Sequence, residues 1–183
     1  MSIYGGKELA NAFSTVRKNT IQVAQDIPED KYDFVAAPEV RTVGRMLTHV
    51  AISTWVWEEV DKKRLTTLAG FDFFGLVDKL KAEEARPRTK TEILELLRTE
   101  GDRFAAWMET LTPELLAETV LEPDGKTTKT RFERILSAKE HEMHHRAQLM
   151  LIERQLGIVP HLTRRFQEIM AQARKAQAGG SAD

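Results

Sequence analysis

The chain has 183 residues, of which 42% are hydrophobic and 30% are charged, and its formal net charge is -1 at pH 7. This length suffices for one domain with a substantial core, and the nearly balanced charge gives no case for a nucleic-acid partner. Because cysteine is absent, disulfides, iron–sulfur clusters and thiolate zinc sites are excluded. Any metal ion would have to be held by histidine, carboxylate and water.

No stretch of the sequence has the pattern of a targeting or membrane segment. The N-terminus lacks the basic and apolar regions of a signal peptide, and no apolar run approaches the ~18 residues of a membrane span. The lack of cysteine fits a reducing compartment. We therefore expect a cytoplasmic protein without a membrane partner.

Hydrophobic residues recur at steps of three and four along most of the chain, which predicts an all-α protein. The expected main helices span, in order, residues 7–26, 42–62, 89–111 and 130–156. Four amphipathic helices of this kind pack as a four-helix bundle. The long connection at residues 66–88 has room for a short helix near Val77 to Glu84, and the periodicity leaves the order of up and down helices open.

Local signals mark the ends of the last two main helices. Thr89 with Glu92, and Thr130 with Glu133, have the spacing of a capping box. Gly157 is placed to end the fourth helix in the left-handed conformation.

The C-terminal part of the chain contains one more amphipathic segment. Apolar residues between 162 and 170 predict a short extra C-terminal helix. We expect a single domain over residues 1–175, followed by a small, polar and disordered tail at residues 176–183.

Three of the five histidines lie within residues 139–148. His141 and His145 are four residues apart on the core face of the predicted fourth helix, so their side chains point the same way. Two buried imidazoles at this spacing indicate either half of a metal site or two hydrogen-bonded core histidines. His49, in the middle of the second helix, can supply a third ligand. Three histidines with water at an open position are typical of a catalytic metal centre.

Two neighbours of the histidine pair are candidates for orienting the ligands. Gln148 is placed to hydrogen-bond a ligand or a water, and Glu142 is adjacent to the pair without a clear direction. His144 is rotated off the shared face, and His161 is expected in a loop or at a helix cap.

The run from His141 to His145 also matches H-E-x-x-H, the zinc metalloprotease signature, in which Glu142 would be the general base. The longer form of that signature, with a glycine and a third histidine, does not continue in this sequence. Of the later glutamates, Glu153 is too near on the same helix and Glu168 lies in a terminal element. A protease is therefore the least favoured interpretation.

Three stretches of the chain resemble the DinB family of bacterial proteins, the DinB/YfiT-like group of metalloenzymes. They are IPEDKYDF at residues 27–34, RTVGRMLTHVA at 41–51 and EHEMHHRAQL at 140–149. The most specific feature is a lone histidine followed far downstream by H-x-x-H-H-R-x-Q-L. The resemblance covers about residues 5–160.

The resemblance implies a four-helix bundle with up-down-down-up connectivity and a divalent metal ion. Carried over to this sequence, the ligands are His49, His141 and His145. Zn or Ni is expected, and Fe, Co or Cu would also suit three imidazoles. A homodimer is a further expectation.

The activity implied is that of a metal-dependent hydrolase, or of an S-transferase that uses a low-molecular-weight thiol such as bacillithiol or mycothiol. The substrate would be a small molecule, and Arg45, Arg146 and Lys139 are near enough in sequence to contact an anionic co-substrate. The alternative is a non-catalytic metal-binding protein of the stress response.

Overall fold

The computed structural model describes residues 4–179, and helices make up most of this part of the chain. The α-helices, in chain order, are α1 Gly6–Asp26, α2 Val43–Ile52, α3 Thr54–Trp57, α4 Phe73–Glu84, α5 Lys90–Glu109, α6 Pro113–Ala117, α7 Arg131–Gln155 and α8 His161–Gly179. A 3-10 turn at Glu29–Lys31 follows α1. A π-helical turn at Glu58–Lys62 continues α3, so helical structure extends to residue 62 as expected. The all-α prediction is confirmed.

The predicted capping boxes are present at the starts of the two long helices. The hydroxyl of Thr89 accepts a hydrogen bond from the Glu92 amide at the start of α5. Thr130 and Glu133 have the same relationship at the start of α7. Each pair satisfies two backbone amides that would otherwise lack partners, so both helices begin at sequence-defined residues.

A short hairpin precedes α7. Strands β1 (Thr119–Leu121) and β2 (Thr128–Thr130) pair in antiparallel fashion. Gly125, in the loop between them, has a φ of 65°, in the left-handed region that glycine adopts without strain. The sequence did not predict these strands, because three-residue strands are too short to show an alternating pattern.

The direction of α1 relative to α5 follows from contacts at both ends. Gly6, at the start of α1, packs so closely on the end of α5 that a Cβ atom there would lie 2.4 Å from the carbonyl oxygen of Met108. At the other end, the ammonium of Lys90 donates a hydrogen bond to the carbonyl oxygen of Ile27. The two helices are therefore antiparallel.

The second main helix runs parallel to α5. Gly44, near the start of α2, packs against Ile93 near the start of α5, and further along Trp55 donates a hydrogen bond to Glu100. The connection that contains α4 is what allows two consecutive bundle helices to be parallel, because it carries the chain back along the bundle.

Helix α7 returns in the direction of α1. Its first residue, Arg131, pairs with Asp61 at the far end of the second main helix, and Ser137 accepts a hydrogen bond from Trp57. These contacts complete an up-down-down-up order of α1, the α2–α3 segment, α5 and α7. The predicted fold class is confirmed.

Buried apolar residues form two main clusters along the bundle axis. One lies toward the C-terminal end of α1, around Ala24, Leu47 and Leu97, and the other lies toward its N-terminal end, around Phe13 and Phe104. Four buried polar side chains lie between the two clusters: Arg17, Thr20, Glu142 and His145. The core therefore has a polar layer in its middle.

The C-terminal helix is longer than the short helix expected. Helix α8 has 19 residues and ends at Gly179, because its many Ala, Gln, Arg and Lys residues favour helix. The first four residues of the expected disordered tail are thus helical, and residues 180–183 lie outside the described part. Within residues 4–179, no helix combines the length and the apolar character that crossing a membrane requires.

Candidate metal centre

Three imidazoles converge in the polar layer of the bundle. His49 comes from α2, and His141 and His145 come from α7. The Nε2 atom of His141 lies 3.2 Å from the Nε2 atoms of both His49 and His145. One nitrogen from each ring lies within 4.8 Å of the others. The structure therefore brings together the three histidines that the sequence singled out.

The local sequence explains these positions. The spacing of four residues on α7 stacks His141 and His145 one turn apart on the face toward α2. His49 is half-buried on α2, with Val50 and Leu47 packed in the core on either side of it. The long-range packing of α2 against α7 then closes the cluster.

The outer nitrogen of His49 is held by an acidic residue. Its Nδ1 atom lies 2.6 Å from Oε1 of Glu84 on α4. Arg41 donates to the same carboxylate through Nε at 2.7 Å. Burial disfavours ionisation of Glu84, but the hydrogen bonds and charges of His49 and Arg41 outweigh it and lower the pKa of Glu84 to about 2. The ionised carboxylate accepts a hydrogen bond from Nδ1 of His49, which leaves Nε2 as the nitrogen that faces the cluster.

The sequence alone did not identify Glu84 as a partner of His49. It predicts Glu84 only as the end of a short helix in the connection at residues 66–88. Residue patterns along the chain do not show that α4 folds back against α2, so the 35-residue separation from His49 concealed the contact.

The outer nitrogen of His145 is held by the predicted neighbour. Its Nδ1 atom donates to Oε1 of Gln148 at 2.9 Å. The amide nitrogen of Gln148 lies 3.2 Å from Nε2 of His144 and donates to it. His144 is exposed and off the shared face, as predicted. The Nε2 lone pair of His145 is thereby directed to the cluster.

The donor set fits a divalent ion. A proton on Nε2 of His141 can satisfy only one of its two 3.2 Å contacts, whereas a cation at the point of convergence satisfies all three nitrogens. Two nitrogens bound at 2.0–2.1 Å to one tetrahedral ion are about 3.3 Å apart. The two separations that involve Nε2 of His141 therefore match the edge of a metal coordination polyhedron, and all three nitrogens lie within 4.8 Å of one another.

The surroundings of His141 and His145 favour the neutral imidazole, which is the form that binds a metal. Burial is the main reason that the pKa of His141 falls to about 3, and the neighbouring imidazoles add to the effect. Burial also lowers the pKa of His145, against a smaller opposing effect of the hydrogen bond to Gln148. The ring of His141 packs near Trp57, with centroids 5.8 Å apart.

Glu142 does not contact the histidine cluster. It was considered from the sequence as a residue that orients the ligands, and the structure corrects this. Its carboxylate is buried and accepts hydrogen bonds from Nε of Arg17 at 3.0 Å. On a helix, a residue adjacent to His141 points about 100° away, and here that direction leads into the bundle core. A carboxylate bound in this way cannot act as the general base of the H-E-x-x-H mechanism.

The remaining candidate residues lie outside the histidine cluster. His161 begins α8 and lies 3.2 Å from Oδ1 of Asn19 on α1, away from the cluster. Arg146 donates to the carbonyl oxygen of Val16. Arg45 lines a cavity beside the cluster, and Lys139 does not line it.

That cavity has a volume of about 620 Å³ and reaches His145, Gln148 and Glu84. Its size is that of a site for a small molecule. A second cavity of about 680 Å³ lies elsewhere, between the π-helical turn and α4, and none of the three histidines lines it.

The fold and the site define a helical bundle with a histidine cluster suited to a divalent ion. Residues 12–149 match the model of the DinB superfamily. The chain therefore belongs to the DinB superfamily, which confirms the resemblance drawn from its sequence. A comparison with curated protein sequences gave no match.

Solved structures share the fold. YfiT from Bacillus subtilis, described as a probable metal-dependent hydrolase with an unusual four-helix bundle topology, is 19% identical, with a TM-score of 0.66 over 86% of this chain and 91% of its own. The DinB-like protein YjoA from B. subtilis is 21% identical, with a TM-score of 0.61 over 82% and 92%. A protein from Clostridium difficile 630 is 15% identical, with a TM-score of 0.63 over 84% and 98%.

Proposed function

We propose that this protein is a metal-dependent enzyme that acts on a small molecule, with a divalent ion held by His49, His141 and His145. The observation that carries the proposal is the convergence of three imidazoles in which Nε2 of His141 lies 3.2 Å, the spacing of metal ligands, from Nε2 of each of the other two. The description of YfiT as a probable metal-dependent hydrolase supports it. Zn or Ni is the expected ion, and Fe, Co and Cu are also compatible with three imidazoles.

A divalent ion in such a site acts as a Lewis acid and lowers the pKa of a water or thiol, which supplies a nucleophile at neutral pH. The protein's own groups prepare the site for it. Glu84 and Gln148 hold the Nδ1 protons of His49 and His145 and so fix both rings. The cavity beside His145 gives a small molecule access to the open side of the cluster.

Metal content tests the first part of the proposal. Protein expressed in metal-replete medium and passed through a desalting column should carry close to one equivalent of metal by elemental analysis. His49→Ala and His145→Ala should carry far less, while the control His161→Ala should match wild type because His161 lies away from the cluster. Far less than one equivalent in wild type would overturn the proposed metal site.

Turnover assays test which type of reaction the protein catalyses. Hydrolysis and thiol transfer differ in the nucleophile, water or a low-molecular-weight thiol such as bacillithiol or mycothiol. The chain has no cysteine, so a thiol would have to enter as a co-substrate. Ester and amide substrates without thiol, and electrophiles with thiol, would separate the two. Full metal loading without turnover in either panel would favour a non-catalytic metal-binding protein.

We further propose a cytoplasmic homodimer. Exposed apolar side chains on α8 support the dimer: Phe166, Ile169 and Met170 lie on one face of this helix. An apolar stripe of this kind marks an interaction surface. Light scattering at micromolar concentration should give twice the mass of the chain, and Phe166→Glu should give a monomer. A monomeric wild type would contradict the proposal.

A further inference from the structure

The cavity beside the histidine cluster has a polar wall and an apolar wall. The cationic side chains at the polar wall are those of Arg41, Arg45 and Lys81. The apolar wall consists of Ala36, Val40, Met46 and Leu151. The volume of about 620 Å³ and this mixed lining are typical of sites for small organic ligands.

The cations of this cavity differ in how they are engaged. The guanidinium of Arg41 is bound to Glu84, which in turn holds His49. Arg45 and Lys81, by contrast, have no ion-pair partner among residues 4–179. Two cations that face one cavity and have no ion-pair partner leave their hydrogen-bond donors available to a ligand.

The carboxylates of the same cavity do not neutralise this charge. Glu84 is buried and shared between Arg41 and His49. Glu39 is exposed and forms no ion pair with Arg45 or Lys81, and its backbone has a φ of 62°. A left-handed conformation is uncommon for glutamate and costs energy, and such residues concentrate at ligand-binding segments. Here it turns the segment that brings Ala36 and Val40 to the apolar wall.

We propose that the small molecule bound at this site carries an anionic group, a carboxylate or a phosphate, which Arg45 and Lys81 bind. Its apolar part lies against Val40, Met46 and Leu151, and its other end reaches the metal centre beside His145. This inference rests on the proposed function, because it takes the histidine cluster as the metal centre. It goes further in assigning the charge class of the ligand and two residues that select it.

A matched pair of metal-binding probes tests the inference. The monohydroxamates of succinic, glutaric and adipic acid bind a metal through the hydroxamate and present a carboxylate at the far end. Their terminal amides have the same shape without the charge. For the best chain length, the metal-loaded wild type should bind the acid about fivefold more tightly than the amide, as measured by calorimetry.

Substitutions then test which residues cause the preference for the acid over the amide. Arg45→Gln and Lys81→Gln should each reduce the preference for the acid to less than about twofold, without weakening binding of the amide. The control is Lys79→Gln, which removes one positive charge from the helix that carries Lys81, but from the wall of the other cavity. It should keep the wild-type preference. Arg41 is left unchanged because its loss would also disturb Glu84.

The outcomes separate the two proposals. Equal binding of acid and amide by metal-loaded wild type would overturn the anionic ligand and leave the metal enzyme intact. An equal loss of preference in Lys79→Gln would also overturn it, because the effect would then be one of net charge. Failure of the protein to hold metal would overturn the proposed function and this inference with it.

Discussion

Arg17 and Glu142 form a buried ion pair one residue away from His141. The guanidinium of Arg17 donates to both carboxylate oxygens, and its other nitrogens donate to the carbonyl oxygens of Leu97 and Val50. One side chain from α1 therefore contacts α2, α5 and α7 at the level of the histidine cluster. This arrangement fixes the rotation of α7, and with it the direction in which the two histidines of α7 point.

Removing one partner of this pair should destabilise the protein strongly. Arg17→Met leaves the carboxylate of Glu142 buried without its cation, which typically costs about 3–5 kcal/mol. The double variant Arg17→Met, Glu142→Leu should recover much of the loss, because no buried charge remains. Urea unfolding of the metal-free proteins measures both changes. A cost below about 1 kcal/mol for the single variant would contradict the assigned role.

Glu84 should strengthen metal binding without touching the ion. Its carboxylate orients His49 and raises the basicity of the ring, and loss of such a partner typically costs 10- to 100-fold in metal affinity. Glu84→Ala should therefore bind metal about 10- to 100-fold more weakly in competition with a chromophoric chelator. Asp78→Ala removes an exposed carboxylate from the same helix and serves as the control. Equal affinities for the two variants would show that the hydrogen bond to His49 is without effect.

Metal removal should lower the melting temperature. An ion that binds only the folded state stabilises it by about 2.7 kcal/mol when its free concentration is 100 times the dissociation constant. For a chain of this size, that stabilisation corresponds to a shift of roughly 5–10 °C. Adding chelator to metal-loaded wild type should produce this decrease, and His145→Ala should show none. An unchanged melting temperature in wild type would favour the structural bundle with plain core histidines.

Glu153 should make stability depend on pH. It is fully buried, and both of its carboxylate oxygens lack a partner among residues 4–179. Burial is the main cause that raises the pKa of Glu153 to about 7, Asp26 adds to it, and Arg164 and Arg154 oppose it. Between about pH 4.5 and 7, the folded state therefore keeps Glu153 protonated. In the unfolded state, where the pKa of Glu153 has its ordinary value near 4.5, the carboxyl is ionised over the same range.

The stability contribution of Glu153 must therefore fall as pH rises from about 4.5 to 7 and stay low above that range. Glu153→Gln mimics the protonated form, so it should be close to wild type at pH 5 and more stable by about 1–2 kcal/mol at pH 8. Chemical unfolding at both values of pH measures the difference. Glu140→Gln, an exposed residue of the same helix, is the control. A difference that does not change with pH would contradict the raised pKa.

Local sequence determined the helices and the placement of two of the three histidines of the candidate site. The capping boxes at Thr89 and Thr130 fix where two helices begin, because their hydrogen bonds span only three residues. The spacing of His141 and His145 places both rings on one face of a helix, whatever the helix packs against. Residue type and short-range geometry were therefore sufficient for these features.

Only the tertiary structure decided which long-range partners complete the centre. Glu84 reaches His49 because α4 folds back on α2, and Glu142 turns to Arg17 across 125 residues rather than toward the cluster. Such contacts depend on how whole helix faces pack and on where buried charges find counter-charges, and a single sequence carries no periodic signal for either. The pattern H-E-x-x-H thus has two histidines in the site and its glutamate in the core.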